Sequence, residues 1–128
     1  MNEKYTPKLI DIKILYTVNS LNELGYFPNN HGVLKILKGE VDTESKAFTN
    51  LITFQTLVSY NSKKLSRIIL LLVRYKYLEK KYDKNTDDLY LKISEKGKIY
   101  LQDYLSKHHP IFKKHQKINN PTIVKIEG

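Results

Sequence analysis

The longest unbroken apolar run in this chain, Ile68–Val73, lies inside the segment that carries most of its excess positive charge. Its six residues are far fewer than the ~20 apolar residues that a helix needs to cross a bilayer. We therefore expect the run in the core of a folded domain. Because lysines and arginines flank it closely, the same segment must also reach the surface. Only an element with two distinct faces satisfies both demands.

A helix over residues 62–76, begun by Asn61-Ser62, separates the two kinds of side chain at about 100° per residue. The predicted core face contains Leu65, Ile68, Ile69, Leu72 and Lys76, with Tyr75 just beyond it. On the opposite side, Lys63, Arg67 and Arg74 fall within a sector of roughly 40°. Leu70 is an apolar residue among these cations. The pattern predicts a central helix, buried over most of its circumference, with one basic stripe.

Caps and glycines mark two helices before this segment. Thr6-Pro7 is typical of a helix start, and Gly25 is typical of a helix end. Asn29 or Asn30 begins a short second helix that ends at Gly39. The apolar spacing also predicts a third helical piece through Phe48, Leu51 and Ile52.

The residues after the basic helix predict a β-hairpin. Strand-like residues at 77–82 and 89–93 flank the polar loop Asp83–Asp88. Ser94 then caps a final helix that ends near Ser106. The order of elements predicts a mainly helical α+β fold, a winged helix-turn-helix with a C-terminal helix.

The predicted domain organisation is one winged-helix domain at 6–107 and a basic, flexible tail at 108–128. The initial Met and the tail favour a stand-alone protein over a helicase fragment. Within the tail, the stretch Thr122–Ile126 has the composition of a short strand that could pair in an oligomer or with a partner.

The net charge of +9 is distributed unevenly along the chain. Residues 1–60 carry six basic and six acidic groups, whereas residues 61–82 carry seven basic groups and one acidic group. An isolated charged helix face is most often merely solvated. Here the stripe is joined by Lys80 and Lys81 on the first predicted strand, so we favour a surface that binds a polyanion.

The sequence lacks the residues that several kinds of chemistry require. The chain has no cysteine, which removes disulfides, thiolate zinc sites and thiol nucleophiles. His108, His109 and His115 have no metal-ligand spacing, and no glycine-rich phosphate loop or nucleophile motif is present. We predict no enzyme activity, no metal and no cofactor. Because the N-terminus lacks the apolar segment of a secretory signal, we expect a cytoplasmic protein without a membrane partner.

Three stretches, Ile14–Glu40, Leu51–Lys81 and Leu89–Leu101, contain an ordered set of motifs. These are Gly25, Leu37-Lys38-Gly39, Ile52–Thr56, Ser62-Lys63, Leu72–Leu78 and Ile93–Gly97. The set resembles the RecQ C-terminal domain (RQC domain), the winged-helix module that follows the motor in RecQ-type DNA helicases.

The chain also departs from the pattern of that family. Family members usually carry this domain behind two helicase lobes and a four-cysteine zinc module, and this chain has neither. Gln55-Thr56 replaces the family's Tyr-Gly before the recognition helix, which corresponds to the basic helix at 62–76. Lys76 replaces the Gly of the family's Gly-Tyr-Leu. The resemblance therefore implies a DNA-binding module that cannot unwind DNA by itself.

The resemblance implies binding to duplex or branched DNA, with a helicase or another protein as a possible partner. Phosphates would be met by the start of the recognition helix and the loop before it, and Tyr82 near the wing tip would stack on a terminal base pair. An alternative role for Tyr82 is that of cross-strand partner of Tyr90. The acidic tip argues against deep entry of the wing into DNA. The predicted DNA contacts are Thr53, Ser59, Asn61, Ser62, Lys63, Lys64, Arg67, Arg74, Lys80, Lys81, Tyr82 and Lys84.

Two other functions remain open at this point. The protein could be a dimeric winged-helix transcription regulator, since the sequence does not determine the oligomeric state. It could also be an adaptor whose winged helix docks a protein partner. Leu70 in the basic stripe and Tyr60 near it would suit that second role.

Overall fold

The structure is a computed structural model that describes residues 5–42 and 45–119, with 108–119 described as backbone only. Its elements are α1 (Leu9–Glu23), α2 (Asn30–Lys38), a short 3-10 turn (Lys46–Phe48), α3 (Ser62–Arg74), β1 (Leu78–Asp83), β2 (Asp88–Ile93) and α4 (Glu95–Asn119). The two strands form one antiparallel hairpin directly after α3. This confirms the predicted α+β class, in a layout compatible with a winged helix. No helix among the described residues is long and apolar enough to cross a bilayer.

The first helix, rather than α3, is the central element of the core. Five apolar residues of α1 are fully buried: Ile12, Ile14, Leu15, Val18 and Leu21. Only Leu65, Ile69 and Leu72 of α3 are buried, whereas Ile68 is half-buried and Leu70 is exposed. The prediction that α3 is buried over most of its circumference is therefore wrong, because α3 packs on the domain through one face.

Helices α1, α2 and α3 end in the same left-handed turn. Gly25, Gly39 and Lys76 have φ values of 84°, 76° and 72°. At the end of α3, the amide of Tyr77 donates to the carbonyl of Leu72 at 2.9 Å, the hydrogen bond that defines a Schellman motif. The two glycine ends are confirmed. Placing Lys76 on the core face is wrong, because the helix stops before it and its side chain is exposed.

The predicted third helix is wrong. Beyond the 3-10 turn Lys46–Phe48, residues 49–60 form successive turns. Gln55 has a left-handed φ of 68°, and its amide donates to the carbonyl of Ile36 at 2.8 Å. The amide of Leu57 donates to the carbonyl of Leu37 at 2.8 Å. This segment therefore donates hydrogen bonds to carbonyls at the end of α2 instead of forming its own helix.

The hairpin is held to the body of the domain along β2. The amide of Leu91 donates to the carbonyl of Pro28 at 2.7 Å, and the amide of Ile93 donates to the side-chain oxygen of Asn22 at 2.8 Å. The strands include Asp83 and Asp88, so the connecting turn is shorter than predicted. One edge of the wing is thus covered by the chain around the end of α1.

The final helix begins where it was predicted and ends later. The hydroxyl of Ser94 accepts the amide of Gly97 at 2.9 Å, which confirms the cap. A Cβ atom at Gly97 would lie 2.2 Å from the carbonyl oxygen of Tyr77, so only glycine allows this close approach. The backbone stays helical to Asn119, past the predicted end at Ser106. The division into a domain and a tail remains a prediction, and the strand-like stretch 122–126 lies outside the described residues.

Candidate nucleic-acid interface

The start of α3 presents positive charge from two sources, the lysines of its first turn and the N-terminal end of the helix dipole. Asn61 caps the helix, with its side-chain oxygen accepting the amide of Lys63 at 2.7 Å. Ser62, Lys63 and Lys64 follow in the exposed first turn, which contains no acidic residue. Cations at a helix N-terminus oppose the helix dipole and lower stability, typically by ~0.3–1 kcal/mol each. They also add to the field that the N-terminus directs at an incoming anion.

The basic stripe predicted on α3 is exposed as expected. Lys63, Arg67 and Arg74 are all exposed. Within residues 5–42 and 45–107, no carboxylate lies within salt-bridge distance of any of the three. By contrast, the ammonium of Lys35 lies 2.5 Å from the carboxylate of Asp42. The charges of the stripe are therefore not neutralised by the described parts of the protein.

The turn before α3 adds the aromatic ring of Tyr60 to this surface and holds Lys38 of α2 beside it. The ammonium nitrogen of Lys64 lies 5.4 Å from the centre of the Tyr60 ring, a cation–π distance. The ammonium of Lys38, from the last turn of α2, donates to the carbonyl of Tyr60 at 2.7 Å. Lys38 is not predictable as part of this surface from the sequence, because no local signal connects two residues 22 positions apart. Ser59 in the same turn is exposed, as its predicted role requires.

Thr53 does not belong to this surface. Its side chain is buried, and its hydroxyl oxygen lies 2.5 Å from that of Thr17. The hydroxyl of Thr17 also donates to the carbonyl of Lys13 at 2.8 Å. The prediction that Thr53 contacts phosphate is therefore wrong in this structure, because this hydroxyl completes a polar pair inside the core.

The cations of the wing are not brought together as one patch. Lys80 and Lys81 are exposed on opposite faces of β1, because side chains alternate along a strand. The ammonium of Lys81 lies 3.4 Å from the carboxylate of Glu79, which partly neutralises it. Lys80 lines the same pocket as His31, which lies at the start of α2. Lys84 is exposed in the wing turn, so the wing offers scattered charges rather than a continuation of the stripe.

Tyr82 is exposed at the wing tip, and its hydroxyl is held by the wing itself. The side chain is 58% exposed and its hydroxyl donates to the carboxylate of Asp87, which raises the pKa of Tyr82. The residue opposite it on β2 is Leu89, while Tyr90 lies opposite Lys81. The alternative role of Tyr82 as cross-strand partner of Tyr90 is therefore wrong. Stacking on a base pair stays a prediction.

Among the described residues, no group of three or more His, Cys, Asp or Glu side chains could hold a metal ion. The side chains of His108, His109 and His115 lie outside the described part of the chain.

The comparisons with known proteins assign no family. A scan against protein-family models gives no match, and a search of curated proteins gives none either. The resemblance to the RecQ C-terminal domain therefore rests on the ordered sequence motifs, and the function has to be inferred from the geometry of the surface.

Proposed function

We propose that the protein binds DNA through the outer stripe of α3 and the turn that precedes it, and has no catalytic activity of its own. The observation that carries this proposal is the row of three exposed cations, Lys63, Arg67 and Arg74, without carboxylate partners among the described residues. Unpaired cations in a row attract a polyanion, because each can replace a condensed counterion on a phosphate.

The dimensions of the stripe suit a DNA duplex. Lys63 and Arg74 are eleven residues apart on one helix, which corresponds to about 16 Å along its axis. One DNA strand advances about 3.4 Å along the duplex axis per nucleotide, so the stripe is about as long as five base-pair steps. A single α-helix also fits the major groove, which is about 12 Å wide. The exposed side of α3 is therefore large enough to lie along a groove.

The preferred DNA form within this proposal follows the sequence resemblance. A module similar to the RecQ C-terminal domain would bind as a monomer and prefer forks or duplex ends. A dimeric transcription regulator would instead prefer one palindromic duplex. A mass measurement in solution, combined with a panel of blunt duplex, fork, Holliday junction, hairpin and single strand, separates these two forms of DNA binding.

The test is the salt dependence of DNA affinity. If the three stripe cations contact phosphates, the logarithm of affinity should fall against the logarithm of salt with a slope of about −3. Lys63→Ala and Arg67→Ala should each reduce that slope by about one and weaken all sequences alike. Lys98→Ala, which removes an exposed charge from α4, serves as the matched control. Absence of binding to every DNA in the panel at low salt would overturn the proposal.

A second candidate function is supported by Leu70. This residue is 59% exposed in the middle of the stripe, between Arg67 and Arg74. An exposed leucine surrounded by cations is suited to an acidic protein groove as well as to DNA. Leu70→Ala discriminates between them when phosphate contacts dominate DNA binding. It should then change DNA affinity little, whereas docking of a protein on this face should weaken clearly.

A further inference from the structure

A groove outside the α3 surface is formed by the wing and the turn that follows α1. It is open to solvent, has a volume of about 550 Å³, and its lining residues include Tyr26, Phe27, Tyr82 and Tyr90. The rings of Phe27 and Tyr90 lie 5.6 Å apart at 60°. Phe27 is 42% exposed. Aromatic faces that remain this accessible are typical of recognition sites rather than of a closed core.

Two tethers hold the walls of the groove in place. The hydrogen bond from Leu91 to the carbonyl of Pro28 joins the turn to β2. The side-chain amide of Asn29 donates to the carboxylate of Asp88 at 2.9 Å, which joins the turn to the base of the wing tip. The groove is therefore formed before any partner binds, and little ordering is needed on binding.

The charge of the groove is opposite to that of the chain. Residues 83–88 contain three carboxylates and one cation, Lys84, so this segment has a net charge of −2, although the whole chain carries +9. Asp83, Lys84 and Asp88 line the groove directly. The hydrogen bond from Asn29 holds the pKa of Asp88 below its ordinary value, because it stabilises the charged form of this carboxylate. A phosphate would be repelled here, and a cation would be attracted.

We propose that this groove binds a basic segment of a protein partner, with a lysine or arginine side chain lying between the aromatic rings and the carboxylates. Aromatic faces attract cations through the ring quadrupole, and the carboxylates supply ion pairs. The groove is larger than one side chain, so it also has room for neighbouring residues of the segment. This site is separate from the α3 surface proposed to bind DNA, because none of its lining residues belongs to α3 or to the turn before it. Tyr82 and Lys84, which the sequence predicts as DNA contacts, line the groove and lie outside that surface.

The experiment uses the full chain and two synthetic alanine peptides, one with three arginines and one with citrulline at the same positions. Amide shifts in NMR spectra locate the binding, and titration gives the affinity. The arginine peptide should bind roughly tenfold or more tightly than the citrulline peptide, because only the former offers cations to the rings and carboxylates. The shifts should centre on Phe27, Leu89 and Tyr90.

Two variants assign the contacts. Asp83→Asn removes one charge, and Tyr82→Leu removes one ring while keeping an apolar side chain. Each should weaken the arginine peptide roughly two- to fivefold, as expected for partly exposed ion-pair and cation–π contacts. Asp103→Asn, on α4, removes the same charge outside the groove and should change nothing. NMR signals outside the groove that match those of the wild-type protein show that each variant is folded.

Three outcomes would overturn this proposal. The first is equal binding of the two peptides, and the second is shifts centred elsewhere. The third is concentration-dependent self-association with shifts in both the groove and the α3 stripe, which would make a second copy of the chain the occupant. DNA binding measured in parallel is unaffected by these outcomes, so failure here is distinguishable from failure of the proposed function.

Discussion

Replacing Lys76 by glycine should stabilise the protein. Lys76 holds the left-handed position that ends α3, with a φ of 72°, while α1 and α2 use glycine at the equivalent position. Its side chain is exposed and takes part in no described hydrogen bond or ion pair. The substitution therefore relieves backbone strain without removing a favourable side-chain contact. A glycine at position 76 can keep the backbone hydrogen bonds of this residue, including the one in which its carbonyl accepts the hydroxyl of Ser94.

The size of the effect follows from two opposing terms. A left-handed conformation costs an L-residue with a Cβ atom about 1–2 kcal/mol. Glycine gains additional freedom in the unfolded chain, which opposes folding by about 0.4–1 kcal/mol. The free energy of unfolding of Lys76→Gly should therefore rise by about 0.5–1 kcal/mol. For a chain of this size, that corresponds to a Tm higher by about 2–4 °C.

The assay is urea and thermal unfolding followed by far-UV circular dichroism. The urea midpoint should increase while the slope m stays constant, because the surface exposed on unfolding does not change. Lys98→Gly is the matched control, since Lys98 is an exposed lysine in a helix with ordinary φ. That control should lose about 0.5–1 kcal/mol. If Lys76→Gly were no more stable than the parent, the strain assigned to this position would be refuted.

Three further predictions concern stability. Gly97→Ala should lower the free energy of unfolding by about 1–3 kcal/mol in urea, because its Cβ would overlap a backbone carbonyl 2.2 Å away; a neutral effect would refute this packing. Thr17→Val should cost about 1–3 kcal/mol by leaving the buried hydroxyl of Thr53 unpaired, and adding Thr53→Val should restore most of the loss. If the stability losses of the two substitutions were additive, the hydrogen bond between Thr17 and Thr53 would be contradicted. The ammonium of Lys35 holds the pKa of Asp42 below its ordinary value of 3.8. The unfolded chain therefore binds more protons, and stability should fall as the pH drops below about 4. Asp42→Asn should flatten this acid limb in a pH series of unfolding curves, and an unchanged limb would exclude this pair as its cause.

The parts of the fold that sequence reasoning predicted depend on local signals. Gly25 and Gly39 mark helix ends because a single glycine is enough to predict the left-handed residue at which a helix stops. Asn61 and Ser94 are caps whose hydrogen bonds reach only two or three residues along the chain. The exposed stripe on α3 follows from helical period alone. These features could be predicted because nothing distant in the sequence competes with them.

The parts that were missed depend on contacts between distant residues. Residues 49–60 have helical apolar spacing, yet the amide of Gln55 bonds to the end of α2, about twenty residues earlier. Thr53 reads as a loop residue, and its partner Thr17 lies 36 positions away. Lys76 gives no turn signal, since lysine rarely adopts a positive φ. The groove beside the wing likewise unites residues near 27 and 90, which no sequence window contains.

The burial of α1 has a consequence for biosynthesis. Its apolar face packs against Leu91, Ile93 and Leu101, which are translated some seventy or more residues later than most of α1. On a ribosome the helix therefore emerges long before its partners, with an apolar face still exposed to water. Such a face favours aggregation or chaperone binding until the wing and α4 have left the exit tunnel. The domain should consequently fold only once β2 and α4 have emerged, rather than from its N-terminus onward, and its long sequence separations should slow that step.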